Sequence, residues 1–484
     1  MNRTHILILS CIIFTITLVH WLPSTAFDFM NFDDPGFVED NYLIYLHPAE
    51  TFYQSLSNTI RGNWVPLTFT SFSIEYHLYG LNGPAFHLTN ILFHGLNAIL
   101  VFLITSILFK DFYRPKNVPG INPDFFALLA TILWAVHPLR VEAVTWISAR
   151  KDVLSMFFCF LSILSYIYFL HQKPLPLKKV FANKLYLAVT LMMILSLLAK
   201  GMAVTLPAVF LIFDYLYQRK DYIRAICEKV PLFFISLFFA YIQISTRPEN
   251  LPGTNELALS TRIINSFSGL GFYIEKTLLP IDLIPIYYYE GHKSQYFIYI
   301  FITAVAAAVL LTILFLKGNR FVKGSILFYL VTALPIIGIM QTWIQEYADR
   351  FSYLPTIPLY LWIGVGLMYF CEGTSKKSAQ SGHSSKKPQF LIVYLLSFIL
   401  IGIYGYQCSK QIMYWENPYT LWNHQLDIRP SSRTCLVLGD YSMTLKDTKK
   451  AYHYYQYGYQ LDPKDSLIIE RIILFREITG TEKK

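Results

Sequence analysis

Charge is what this sequence has least of. Of its 484 residues only 15% are Asp, Glu, Lys or Arg, while 54% are hydrophobic and 17% aromatic. Soluble domains carry about 25% charged residues, and a core grows too slowly with chain length to hide so much apolar surface. The composition therefore argues against a soluble globular protein. Cysteine is sparse too: six residues, of which Cys11, Cys159, Cys227 and Cys371 lie in or beside apolar runs. That is neither a disulfide framework nor a metal-ligand spacing. Only Cys408 and Cys435 share a segment in which a bridge is conceivable. Phosphate-cradling glycine loops and the G-x-S-x-G elbow are missing, which argues against nucleotide-driven pumping.

Apolar runs fill the space. Ile298–Leu316 and Phe390–Tyr406 are nearly free of charge and approach the ~20 residues that a bilayer core requires. The pattern predicts an all-α, polytopic membrane protein of about eleven transmembrane helices. They fall near 5–22, 88–109, 125–143, 152–170, 185–199, 202–217, 230–246, 297–316, 325–342, 351–371 and 390–407. The net charge of +9 is not gathered on one face, as nucleic-acid binding would need. It sits in short loops, around Lys110–Lys116, Lys173–Lys184, Arg219–Lys229, Lys317–Lys323 and Lys376–Lys387. The positive-inside rule makes these loops and the N-terminus cytoplasmic, and the odd number of spans sends the C-terminus outside. The first run also has the alternative of a cleaved signal peptide ending near Ala26.

Other segments do not span. Residues 28–87 form a long external loop, and 266–288, broken by Gly, Pro, Glu275 and Lys276, read as re-entrant or interfacial. Residues 373–389 are a Ser/Lys-rich cytoplasmic linker between spans of a domain running from 1 to 407. Residues 408–484 form a helical tail. In it Leu438-Gly439, Ala451, Tyr455, Gly458 and Pro463 fall at tetratricopeptide offsets, with Trp422 and Pro430 matching half of a preceding repeat. So short an array is expected to lean on the membrane domain.

Charge retained beside apolar helices usually marks a site, because burying it is expensive. Three such groups map to the external face. Asp33-Asp34 follow the first span, and adjacent carboxylates can divide the roles of proton acceptor and charge partner. The stretch His137–Asp152 carries His137, Glu142, Arg150 and Lys151, the cations being suited to phosphate. Lys200 sits in a tight hairpin, and Asp349-Arg350 precede another span. Each has a plainer alternative: a turn-capping Asp pair, snorkelling cations, an interfacial ion pair. His77, His87 and His94 lie near the second span without a third ligand at convincing spacing, so no metal site is assigned.

Taken in order, these segments resemble a known group. Asp33-Asp34-Pro35, Asn63-Trp64-Val65-Pro66-Leu67-Thr68, Phe86-His87-Leu88-Thr89-Asn90, the His137–Asp152 stretch, Leu198–Pro207 and Ala348–Pro355 are similar to the transmembrane-and-tetratricopeptide-repeat proteins and their bacterial relatives. That group sits in the GT-C glycosyltransferase superfamily with the protein O-mannosyltransferases. The resemblance implies a GT-C-like membrane domain and an inverting transfer of a sugar, mannose in the first instance, from a polyprenyl-phosphate carrier. The implied acceptor is a hydroxyl, as of protein Ser or Thr. Asp33 or Asp34 would be the base. Arg150, Lys151 and Lys200 would face the donor phosphate, while His87, His137, Glu142, Asp349 and Arg350 would line or brace the cavity. A divalent cation is an open possibility, and a bacterial inner membrane with a periplasmic site and C-terminus is the expected location. Val65 replaces a polar residue of the bacterial relatives, and the repeat array is short. A different class of reading is a non-catalytic membrane scaffold that docks partners through the tail. A transporter would need internal repeat symmetry, which the sequence does not show.

Overall fold

The computed structural model describes residues 3–113, 122–246, 258–288, 294–338, 345–380 and 387–479. The main helices are α1 (Arg3–Trp21), α2 (Pro66–Tyr79), α3 (Gly83–Phe112), α4 (Pro123–Ala135), α5 (Arg150–Leu170) and α6 (Lys184–Ala199). They continue as α7 (Leu206–Leu216), α8 (Tyr222–Ser245), α9 (Leu259–Leu278), α10 (Gln295–Lys317), α11 (Arg320–Ala333), α12 (Ile357–Gln380) and α13 (Lys387–Tyr414). Four more, α14 (Pro418–Ile428), α15 (Ser432–Thr444), α16 (Thr448–Leu461) and α17 (Ser466–Thr479), make up the tail. A two-stranded antiparallel pair, β1 (Tyr287–Tyr288) and β2 (Gln345–Tyr347), sets Tyr287 opposite Tyr347. The chain is an all-α, multi-pass integral membrane protein.

Among the described residues, length and composition qualify six helices to cross a bilayer: Arg3–Ala26, Gly83–Phe112, Ile147–Leu170, Tyr222–Ser245, Gln295–Lys317 and Leu391–Tyr414. A seventh is counted if Pro123–Ala135 and Pro138–Thr145, bent by 60°, form one broken span. Pro138 makes that break, since its ring clashes with the preceding turn and it has no N–H to donate. Lys184–Ala199, Gly201–Leu216 and Ile357–Glu372 are apolar but shorter. The expected span 325–342 is shorter still, because α11 ends at Ala333, two residues before Pro335. Segment 266–288 also departs from the broken piece expected. Its first half belongs to a continuous helix, α9, which packs tightly on α10 where a Cβ on Gly271 would meet the Ala304 backbone at 2.5 Å. Helix continues through 373–380 at one end of the linker, while 381–386 lie outside the described residues. The Lys376/Lys377 and Lys386/Lys387 charges fall where no side chain is described, as do Arg114 and Lys116. All six cysteines are free thiols, Cys408 and Cys435 included.

The helix ends sort the charged residues onto two faces. At one, the C-terminal end of α6 meets the N-terminal end of α5, where Lys200 pairs with Asp152, and the loop at Asp34 bonds Ser148 just before α5. At the other, Arg219, Lys229, Asp214 and Glu228 form a compact network: Lys229 Nζ lies 2.5 Å from Asp214 Oδ2, and Arg219 Nη1 lies 2.6 Å from Glu228 Oε2. The basic segment 219–229, expected as loop, therefore runs into the first turns of α8 with Glu228 and Lys229 buried.

The tail is helical throughout its described length, and its consecutive helices pack in sequence. Small residues permit the approach: a Cβ on Gly439 would lie 2.3 Å from the Tyr455 ring, and one on Gly458 would lie 2.9 Å from the Cys435 Cβ. As expected, the tail leans on the membrane domain. His424 Nε2 donates to the Leu283 carbonyl (3.0 Å), Ile286 N donates to Gln425 Oε1 (3.1 Å), and Trp422 Nε1 donates to Asn31 Oδ1 (2.9 Å).

Candidate active site

The two adjacent aspartates have opposite environments. Asp34 is fully buried with both carboxylate oxygens engaged: Met30 N donates to Oδ2 (2.8 Å), and Ser148 donates its backbone N–H to Oδ1 (3.0 Å) and its hydroxyl to the same oxygen. Burial pushes this carboxyl up to about 6, against the pull of those three hydrogen bonds. Asp34 thus pins the loop to the segment that opens α5. Asp33 points the other way. Its side chain keeps 22% of its surface accessible, with Lys151 Nζ 3.6 Å from Oδ2 and Arg61 Nη1 3.7 Å from Oδ1. Chain geometry accounts for the contrast, because neighbouring side chains in a turn diverge. The structure therefore gives the two carboxylates different surroundings, which the sequence left open.

Around Asp33 the structure gathers residues distant in sequence. Lys151 has its ammonium 4.1 Å from the centre of the Phe37 ring and 5.3 Å from that of Trp146. Arg350 lies over the same indole at 5.3 Å and over Phe351 at 4.7 Å. Glu142 holds Arg350 twice, accepting its backbone N–H at 2.8 Å and pairing with its guanidinium. Lys200 Nζ is 2.5 Å from Asp152 Oδ1 and 5.1 Å from the Phe351 ring centre. Each cation thus has a carboxylate and an aromatic face, an arrangement that holds ammonium and guanidinium groups under desolvation. Burial nonetheless lowers Lys200 to about 8; Asp152 opposes the shift, while Arg350 and Lys151 add to it.

Three buried polar atoms in this cluster have no hydrogen-bond partner among the described residues: Trp146 Nε1, Arg350 Nε and Asp152 Oδ2. Lys151 has three N–H donors, and Asp33, at 3.6 Å, is beyond hydrogen-bond length. The donors among these, Trp146 Nε1, Arg350 Nε and the Lys151 ammonium, can hold an anion beside a general base, whereas Asp152 Oδ2 can only accept. Asp34 has both oxygens taken, Asp33 faces two cations, and no group of three His, Cys, Asp or Glu side chains comes together among the described residues.

Other residues expected at the site lie elsewhere. Arg150 turns away from its neighbour Lys151, donating to Glu75 Oε2 (2.8 Å) and the Phe86 carbonyl (2.9 Å) and bonding Asn90 Oδ1, with no exposure. Successive helical positions point about 100° apart, so Arg150 faces the interior of the bundle and is not placed to meet a phosphate. His137 accepts from Leu139 N (3.2 Å) through Nδ1 and so donates from Nε2 to the Thr277 carbonyl (3.0 Å), fastening the proline break to α9. His87 is buried edge-on against Phe27, behind the loop. Asp349 does not pair with Arg350; it accepts from Tyr287 OH at 3.0 Å. Sequence reasoning missed Glu75, the lone charge in α2, although the same rule that selected Arg150 would have found it. It also missed Ser148 and Trp146 as individual contacts, and Trp422.

Comparison with known proteins bears out the resemblance. No family model matches the chain. The mouse protein O-mannosyl-transferase TMTC4 is 40% identical over 112 residues, which are 23% of this chain and 15% of that protein. The protein O-mannosyl-transferase F38B6.6 of Caenorhabditis elegans is 23% identical over 466 residues, covering 91% of this chain and 61% of the relative. The chain thus spans less than two thirds of either. A crystal structure of ArnT from Cupriavidus metallidurans bound to undecaprenyl phosphate aligns over 89% of this chain and 79% of its own, at 12% identity and a TM-score of 0.39.

Proposed function

We propose that this chain is a membrane glycosyltransferase that moves a sugar, mannose in the first instance, from a polyprenyl-phosphate carrier to a hydroxyl of a protein Ser or Thr. The observation that carries this reading is the position of Asp33, a partly accessible carboxylate beside Lys151 in a cluster that also holds Lys200 and Arg350. In the proposed step the Asp33 carboxylate takes the acceptor's hydroxyl proton. The acceptor oxygen bonds to the anomeric carbon from the side opposite the carrier, and the bond from that carbon to the phosphate oxygen breaks. The phosphate stays on the polyprenol and the configuration inverts. Lys151, Lys200 and Arg350 lower the barrier by attracting the charge that builds on the departing phosphate. Glu142 and Asp34 orient: one holds Arg350, the other the loop. The names of the relatives support a protein acceptor and mannose, and the positive-inside pattern supports an extracytoplasmic site.

The test is transfer from radiolabelled polyprenyl-phosphate mannose by wild type, Asp33→Asn and Asp34→Asn, at matched expression. General-base catalysis contributes about 10²–10⁴-fold, so Asp33→Asn should lower kcat by that order with donor KM little changed. Should wild type move no sugar from mannose or glucose carriers to any of a panel of acceptors, the reading fails and the docking scaffold takes its place.

A further inference from the structure

We infer that α14, the first helix of the C-terminal tail, positions the loop that carries Asp33, with Trp422 as the positioning residue; this rests on the reading just given. The loop 28–34 is held on both sides of Asp33. One residue later, Asp34 is tied to Ser148. Two residues earlier, Asn31 Oδ1 accepts from the Trp422 indole at 2.9 Å, and Asp28 N donates to the Glu416 carbonyl at 3.3 Å. Between them the Phe32 ring stacks on Trp146 (centroids 4.9 Å, interplanar 15°) and meets Trp422 edge-on (5.6 Å). Trp146 is the indole over which Arg350 and Lys151 both lie. An unbroken line of contact therefore runs from a tail residue through Phe32 to the cations.

The same helix also reaches the segment that holds Asp349, the residue before Arg350. Through His424 and Gln425, α14 is bonded to Leu283 and Ile286, and the next residue, Tyr287, holds Asp349. Trp422 and Gln425 are themselves buried, so these contacts are not surface accidents. The loop has no helix or strand ladder of its own up to Asp33: Asp28 N bonds Glu416, the Phe32 carbonyl accepts from Arg61 (2.8 Å), and the Asn31 side chain bonds Trp422, so its register depends on partners distant in sequence. Without Trp422, Asp33 keeps its identity but loses its placement, and placement to within about 1 Å is what a general base requires.

The experiment uses the full chain in nanodiscs and two readouts. Amide hydrogen exchange of the peptide covering 28–34 reports placement without reference to activity, and steady-state kinetics with polyprenyl-phosphate mannose report its effect. Trp422→Phe, which keeps a ring but removes the N–H, and Asn31→Ala should each raise loop exchange about tenfold, the weight of one hydrogen bond. The double variant should add nothing further. The kcat should fall alongside, with donor KM unchanged. Tyr455→Phe, which removes a hydroxyl bonded to Asp440 at 2.7 Å inside the tail, should move neither readout. Unchanged loop exchange in Trp422→Phe, or additive effects in the double variant, would overturn the inference. A wild type without transfer sinks the functional reading alone, because loop exchange still decides the coupling.

Discussion

At the scale of single residues, the site turns on how burial divides like from like. Two aspartates one bond apart become a pin and an accessible carboxylate, and two cations one bond apart become a structural partner and a site residue. Sequence could place all four near the membrane surface but could not say which way each turns, since that is fixed by partners tens or hundreds of positions away. Ser148 is 114 residues from Asp34 and Glu75 is 75 from Arg150. Lys200 gives the site a pH limit. Buried beside Asp152, Arg350 and Lys151, it loses its proton as pH rises through about 8. Donor KM should accordingly be flat below that pH and climb above it. A Lys200→Arg variant, charged throughout, should remain flat to pH 9; an identical climb in both would assign the effect to another group.

Elements are held in register by buried charge as much as by apolar contact. Arg150 joins α5 to α2 through Glu75 and to α3 through Asn90, and the next residue on α5 is Lys151. Removing one partner leaves a bare buried charge, so Glu75→Ala should lower stability by about 3–5 kcal/mol. Replacing both, Glu75→Met with Arg150→Met, should recover most of that loss. Denaturant unfolding in detergent would separate the cases, and equal losses in both variants would refute a pairwise origin. At this scale much was legible. Long apolar runs, proline breaks and loop charges marked α1, α3, α5, α8, α10 and α13 because each signal is local. The sequence misjudged where short apolar helices stop, as at Pro335, and where a basic segment is helix, as at 224–229. The second outcome depends on carboxylates such as Asp214, supplied by another helix.

The whole molecule has two charged poles with apolar helices between them. One pole carries Asp33 and its surroundings; the other carries the Asp214–Lys229 and Arg219–Glu228 pairs. In a background without native cysteines, Glu50→Cys and Lys220→Cys, both at exposed positions, should label from opposite sides of the membrane with an impermeant thiol reagent. Glu50→Cys should react in intact cells, Lys220→Cys only after permeabilisation, and labelling of both from one side would contradict the arrangement.

The bond between Asn31 and Trp422 also bears on how such a protein is made, because 391 residues separate its ends. At ~5–20 residues per second, the loop that carries Asp33 leaves the ribosome roughly 20–80 s before the indole that fastens it. Through that interval the loop has no partner for Asn31 from the tail. On the inference drawn above, the loop finds its register only when the helix carrying Trp422 comes back to meet it.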